Sequence, residues 1–231
     1  MKLKNNIKLL VTCDSGAAAG KTTASKYLSK RYELNLLTSG LLYRYVAYKL
    51  INSNKKPDDI YFLRKITKNI KAKTLKNNKL YSSEITKFTS EIAKIKKIRQ
   101  LLKNYQKQFA NKRLAVLEGR DMGILFPNAD VKIFFKCSLK VAAKRRFKEF
   151  KKTNNKLTLK EVKKAIKLRN LNDTKRKNSP LRIPKGAVVV DTSKLSKKEM
   201  FRKISKIVEE KLYLKYGRNY KARSNCIPQG V

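Results

Sequence analysis

Histidine is absent from the 231 residues. Its absence removes the Ser-His and Cys-His nucleophile pairs, every His-ligated zinc site, and imidazole as an acid or base. Cysteine is scarce: Cys13, Cys137 and Cys226 are far apart, odd in number, and form no CxxC pair. That set argues against a disulfide framework or a zinc ribbon and for a reducing compartment. Long apolar runs are missing as well. Stretches such as 9–13 and 187–190 fall far short of the roughly 20 residues that a membrane span needs. The N-terminal stretch begins basic, but its apolar run is too short for a signal peptide. The expected compartment is the cytoplasm, with no membrane partner.

Acidic residues are few. Sixteen Asp and Glu face 59 Lys and Arg, giving a formal net charge of +43. Such an excess invites a nucleic-acid reading. Yet Lys outnumbers Arg 45 to 14 and is accompanied by much Asn and Ile, as compositional drift over solvated surfaces would produce. The excess peaks in residues 61–112 (+13) and 141–185 (+14), on either side of a nearly neutral stretch at 113–140 (+2). That layout suits a cleft for a small polyanion as well as a groove for a polymer, and nonspecific polyanion binding is expected either way. Arginine is the sharper clue, because its planar fork pairs bidentately with phosphate or carboxylate.

With 41 % apolar residues the chain can build one sizeable core. Short apolar strands alternate with longer helical stretches, the pattern of an α/β fold with a parallel sheet. The expected strands are 7–13, 34–37, 114–117, 132–137 and 187–191. The expected helices are 21–32, 41–52, 139–151 and 196–213. Two stretches break the alternation: 54–108 is mostly helical and basic, with a hairpin expected around Asn77-Asn78, and 153–183 is hydrophilic. Both would lie over the C-terminal edge of the sheet, where open α/β sheets bind ligands. The tail at 216–231 is polar and expected to fray.

The first expected strand runs into Asp14-Ser15-Gly16-Ala17-Ala18-Ala19-Gly20-Lys21-Thr22-Thr23 and then a helix. Small residues let backbone N–H groups wrap a polyphosphate, and the helix N-terminus adds partial positive charge. Lys21 would reach the β- and γ-phosphates, and Thr22 would offer its hydroxyl to Mg²⁺. The motif GxxxxGK[ST] wants glycine where Ser15 stands, and Gly16 follows one place late. A non-glycine residue at a positive-φ position costs on the order of 1 kcal/mol. The strain is therefore expected at Ser15, with Gly16 absorbing the bend.

Four motifs in order resemble the bacterial cytidylate kinases, a family of P-loop nucleoside monophosphate kinases, over about residues 7–212. They are the loop above; Leu37-Thr38-Ser39-Gly40-Leu41-Leu42-Tyr43-Arg44; Glu118-Gly119-Arg120-Asp121-Met122-Gly123 followed by Phe126-Pro127; and Arg169-x-x-x-Asp173-x-x-Arg176 followed by Pro180-Leu181. This chain departs from the family pattern at Ser15, Gly16 and Ala18, where Gly, Pro and Gly are usual, and at Thr38, where an acid is usual.

The resemblance implies a P-loop kinase-type three-layer α/β/α fold on a five-stranded parallel sheet, with a nucleotide-binding insertion and a helical lid. Its parts would be a core at 1–52, a monophosphate-binding insertion at 53–108, core again at 109–150, a lid region at 151–183, core at 184–215 and a tail at 216–231. It also implies phosphoryl transfer from ATP, with Mg²⁺, to CMP or dCMP. A monomer is expected.

Such chemistry suits a histidine-free chain. The acceptor phosphate has a second pKa of about 6 and needs no general base, so catalysis reduces to positioning and charge neutralisation. By the resemblance, Lys21, Arg44, Arg120 and Arg176 are catalytic cations. ATP falls to residues 15–23, that is Ser15, Gly16, Ala17, Ala18, Ala19, Gly20, Lys21, Thr22 and Thr23, with Arg145 and Arg146. CMP falls to Ser39, Gly40, Arg44, Ser90, Arg99, Arg120, Asp121, Arg169, Asp173 and Arg176. Base choice follows from atoms: cytosine offers an N4 donor where uracil offers an O4 acceptor, and the Asp121 carboxylate can only accept. Asp121 in a salt bridge to a neighbouring Arg is the plain alternative. Asp14 and Glu118 are secondary candidates for the metal, through water. Two further readings remain open: a kinase for another acceptor such as UMP or AMP, and a basic nucleic-acid-binding protein on a degenerate P-loop core.

Overall fold

The computed structural model describes residues 1–151 and 157–221. Its centre is a five-stranded sheet formed by β1 (Leu9–Ser15), β2 (Asn35–Thr38), β3 (Leu114–Gly119), β4 (Val131–Lys136) and β5 (Val188–Asp191), in the order β2-β3-β1-β4-β5. Every pairing is parallel, so all five carboxyl ends share one edge. The chain leaves β1 past β3 to reach β2, and later leaves β3 past β1 to reach β4. The two connections run in opposite directions and leave on opposite faces of the sheet, which opens a crevice between β1 and β3 at that edge.

Helices α1 (Lys21–Tyr32) and α9 (Lys197–Tyr216) cover one face. Ala24, Leu28 and Tyr32 meet Ile204 and Val208 there over Val11, Val116 and Ile133. The other face carries α2 (Ser39–Asn52), α3 (Ile60–Lys68), α4 (Ser83–Ile92) and α5 (Lys96–Ala110). Leu63, Ile85, Ile98 and Leu102 share one core with Leu42, Ala115 and Leu117. The short α6 (Met122–Leu125) follows β3. Helices α7 (Leu139–Lys151) and α8 (Leu159–Lys175) form a separate small cluster through Ala142, Ala143, Val162 and Ile166, which rests on Ala17 and Ala18. Each basic block sends a side chain to the segment after β3: Arg99 to Asp121, and Asp173 to Arg120.

The expected elements are present, with shifted ends. β1 begins and ends two residues late, because Asp14 and Ser15 stay in the ladder opposite Gly119 and Phe135. α2 starts two residues early and takes in Ser39 and Gly40. No hairpin forms at Asn77-Asn78. Two 3-10 turns, Thr74–Lys76 and Asn78–Tyr81, stand there, and the Asn77 side chain accepts from Lys79 N at 2.9 Å. The turn chemistry was legible, but no strands flank it. The near end of the tail is anchored, not frayed. Tyr216 donates to Lys8 O at 2.9 Å, Tyr220 is buried, and Leu3 bridges to Lys221. Residues 152–156 of the lid region and 222–231 of the tail, Cys226 among them, lie outside the described residues. No helix among the described residues is long and apolar enough to cross a membrane.

Candidate active site

The small-residue loop joins β1 to α1 at the crevice. Its left-handed positions are Ala18 (φ 55°) and Gly20 (φ 84°). Ser15 is the last strand residue, fully buried, and its hydroxyl donates to Gly16 O at 2.8 Å. The expected strain at Ser15 is therefore absent, and Gly16 does not have a positive φ. Gly16 answers a different demand, for space: a Cβ there would stand 3.0 Å from Asn170 Oδ1. The loop is held on several sides. Arg120 donates to Ser15 O at 2.8 Å, Asn170 Oδ1 accepts from Ala17 N at 2.8 Å, and the Thr192 hydroxyl donates to Ala19 O at 3.0 Å. No side chain caps Gly20 and no acid stands in the first turn of α1. Its first amides and its positive dipole end thus remain available to an anion.

Glu118 on β3 is the hub of this end. It lies opposite Cys13 on β1 and Thr38 on β2. Its Oε1 accepts from Lys21 Nζ at 2.9 Å and from the Thr22 hydroxyl at 2.6 Å, while Oε2 is buried with no hydrogen-bond partner. The side chains of Glu118 and Lys21 are 3 % and 13 % exposed. Asp14 faces the other way and accepts from Met122 N at 2.8 Å and Gly123 N at 2.7 Å, pinning the start of α6. Burial lifts its carboxyl to about 6 against the pull of those two amides. Among the described residues no three acids or cysteines cluster as a metal cage. The Thr22 hydroxyl and the unpartnered Glu118 oxygen do fit a hard cation that takes its other ligands from phosphates and water.

Across the crevice, arginines and aspartates interlock. Arg99 pairs with Asp121, and Arg176 reaches Asp121 at 3.9 Å and Asp173 at 3.4 Å. Arg120 meets Asp173 at 3.4 Å. Arg44 donates to Leu80 O at 2.7 Å and to the Thr86 hydroxyl at 2.8 Å. Burial, then the neighbouring Arg169, lowers Arg120 to about 10. Burial followed by a second arginine also lowers Arg44 and Arg176. Crowded cations with too few counter-ions make a site that gains by taking up an anion.

Residues 11–210 match the family model described as cytidylate kinase. This chain belongs to the cytidylate kinase family. It is 32 % identical over 214 residues to the cytidylate kinase of Fusobacterium nucleatum, covering 87 % of this chain and 98 % of that one. It is 33 % identical over 216 residues to that of Thermosipho melanesiensis, with 88 % and 98 % covered. It is 32 % identical over 223 residues to that of Clostridium tetani, with 92 % and 99 % covered. Among solved structures, an uncharacterised protein from Eubacterium ventriosum shares the fold with a TM-score of 0.56 at 13 % identity, covering 88 % of this chain and 99 % of that chain.

Not every residue expected from the cytidylate kinase motifs joins the cluster. Ser90 is exposed, and its hydroxyl contacts Thr86 O at 3.4 Å within its own helix. Arg145 is bonded to the Thr192 carbonyl at 2.7 Å and to its hydroxyl at 3.0 Å, bracing the loop after β5. Arg146 pairs with Glu149 at 2.9 Å and lies over the Phe150 ring, while its charge is felt at Arg44 and Arg169. Ser39 is buried and accepts from Gln106 at 2.7 Å; Gly40 beside it is exposed. Thr23 continues α1 below the loop. Sequence reasoning missed Asn170 and Gln106. The one available signal for Asn170 was its spacing from Asp173, which sets both on one face of a helix. A groove between α1 and α9, lined by Tyr27, Phe201 and Tyr213, touches none of these groups.

Proposed function

We propose that this chain transfers the γ-phosphoryl group of ATP to CMP or dCMP, giving ADP and CDP or dCDP. One observation carries the reading: Arg120 ties the lysine-led phosphate loop, at Ser15 O, to the arginine–aspartate cluster, at Asp173. In this reading residues 15–23 cradle ATP, and Lys21 exchanges Glu118 for β- and γ-phosphate oxygens. Arg44, Arg120, Arg169 and Arg176 clamp the acceptor phosphate and the group in flight. Arg99 and Asp121 hydrogen-bond the cytosine edge, with Asp121 accepting from N4; Ser39, Gly40, Ser90 and Asp173 complete the acceptor side. Arg145 and Arg146 flank the ATP side.

The acceptor phosphate is largely dianionic at neutral pH, so its oxygen attacks without a base and the fixed cations hold donor and acceptor in line. Thr22, with Glu118, would hold Mg²⁺, which when bound neutralises charge on the donor phosphates. The insertion at 53–108 and the lid region at 151–183 then enclose CMP and ATP over the core at 1–52, 109–150 and 184–215. The protein works as a monomer in pyrimidine nucleotide metabolism, in the cytoplasm where those soluble nucleotides are drawn. A coupled ADP-release assay with CMP, dCMP, UMP and AMP tests the reading. Fastest turnover on CMP or dCMP is expected. Fastest turnover on UMP or AMP overturns the base assignment, and tight polymer binding with a steep salt slope but no transfer overturns the enzyme.

A further inference from the structure

The side of the phosphate loop that faces α8 is built from its smallest residues. Val162, Ile166, Asn170 and Asp173 are spaced along one stripe of α8. The two apolar members pack with Ala17 and Ala18. Asn170 then lays its whole carboxamide on the loop. Its Oδ1, Nδ2 and Cγ stand 3.0, 3.2 and 3.3 Å from where a Gly16 Cβ would be. The Asn170 Oδ1 accepts from Ala17 N at 2.8 Å, across 153 residues of sequence. One turn further on, Asp173 binds Arg120, and beyond the helix end Arg176 reaches Asp121. Arg120 in turn donates to Ser15 O. One helix therefore touches the loop through Asn170 and the arginine–aspartate cluster through Asp173.

We propose that Asn170 is a positioning residue that seats α8 on the phosphate loop, and that Gly16 is bare in order to receive it. The contact fixes the separation between the loop and the Asp173–Arg120 pair, and so between the donor and acceptor phosphates. The claim rests on the kinase reading for its kinetic consequence only; the seating itself is a property of the nucleotide-free protein. Gly16 lies outside the left-handed region, so Gly16→Ala brings no backbone strain of its own. What the new methyl group would meet is the Asn170 carboxamide.

The test is a double-mutant cycle on Asn170→Ala and Gly16→Ala, read in two ways. In nucleotide-free protein, backbone amide exchange at Ala17 is expected to quicken in both single variants. Asn170→Asp keeps an acceptor oxygen and retains the protection; should Asn170→Ala fail to fold, Gly16→Ala decides the exchange test, and Ala17 exchange unchanged there overturns the proposal. In steady-state assays kcat/KM for CMP at saturating ATP falls about three- to tenfold in each single variant, the range of one lost hydrogen bond. The double variant falls no further than Asn170→Ala alone, because the methyl then has nothing to displace. Multiplying losses overturn the proposal, as does Ala17 exchange unchanged by Asn170→Ala. A wild-type protein inert toward CMP overturns the kinase reading instead, while the exchange experiment still decides whether Asn170 seats the helix.

Discussion

Lys21→Ala tests the site at two levels. As the cation on the β/γ oxygens, Lys21 is expected to be indispensable, and turnover should nearly vanish. In the ligand-free protein it is also the ion-pair partner of Glu118, whose side chain is only 3 % exposed. Removing one member of a buried pair costs about 3–5 kcal/mol, because the other is left charged and unpaired. Here Lys21 retains 13 % exposure and the Thr22 hydroxyl still donates to Glu118, so a smaller loss, about 2–3 kcal/mol, is expected. For a chain of this length each kcal/mol moves Tm by about 2–4 °C, giving a fall of about 4–12 °C. Thermal melts without nucleotide and coupled ADP release measure the two effects. The second variant, Lys21→Ala with Glu118→Gln, separates them: it removes the stranded charge, so most of the lost Tm returns while turnover does not. A single-variant Tm within 1 °C of wild type refutes the ion-pair argument, and near-normal turnover refutes the catalytic role.

Three further perturbations probe the crevice. Asp121→Ala should reduce the preference for CMP over UMP by about tenfold or more, since a buried acceptor for N4 is lost; an unchanged ratio of kcat/KM values rejects direct base contact. Asp14→Asn tests the buried carboxyl at the root of α6. The folded chain holds its proton up to about pH 6, against 3.8 ordinarily. Asp14 therefore favours folding at pH below about 4 and costs stability as pH rises through 6, about 3 kcal/mol in all. Stability of the Asn variant relative to wild type should climb by that amount from pH 4 to 7 and then level, and a difference flat with pH in denaturant titrations counts against it. Gly123→Ala would set a methyl 2.6 Å from the Pro184 ring, which cannot turn aside. A loss of about 1–3 kcal/mol is expected, read as a lower melting temperature; an unaltered melt would mean the backbone yields freely there.

Legibility varied with the range of the cause. The bounds of α1 and α7 follow the sequence reading because their signals are local: Gly20 before Lys21, and an apolar stripe after Leu139. The end of β1 was misread because Asp14 and Ser15 look like loop residues. They stay in the strand because partners far along the chain, Met122 N and Gly123 N, satisfy the Asp14 carboxylate. Lys21, Arg120, Asp121 and Arg176 were legible as motif residues; Asp173 joins Arg120 to Arg176, Arg176 reaches Asp121, and Lys21 pairs with Glu118. Gly16 was legible as an anomaly but not as a solution. Motif spacing framed it as a backbone question, whereas its constraint is a side chain on α8. Arg145 is an ATP candidate by its place on the helix after β4; in the structure its guanidinium is bonded to Thr192. Side-chain direction after β4 is not encoded in spacing.

The cations of the crevice share one further property. Each is held by a group that a phosphate oxygen can replace. Lys21 rests on Glu118, Arg120 on a carbonyl and Asp173, Arg176 on two aspartates, and Arg44 on a carbonyl and a hydroxyl. Charged donors and acceptors already set in place need little reorganisation when the ligand arrives, which is the condition under which fixed charges stabilise a transferring phosphoryl group best. The same arrangement sets the cost of emptiness. Removing an acid from the cluster leaves crowded arginines facing one another, whereas removing an arginine leaves a stranded carboxylate. Asp173 contacts both Arg120 and Arg176, as Asp121 contacts both Arg99 and Arg176, so Asp173 is one of two acids whose loss leaves a pair of arginines unopposed. Asp173→Ala should therefore lower Tm without nucleotide, and inorganic phosphate, which needs no contact from Asp173 itself, should restore more of the loss than it adds to wild type, because it supplies the missing negative charge. Equal phosphate-induced gains in the two proteins would mean that the arginines do not meet phosphate.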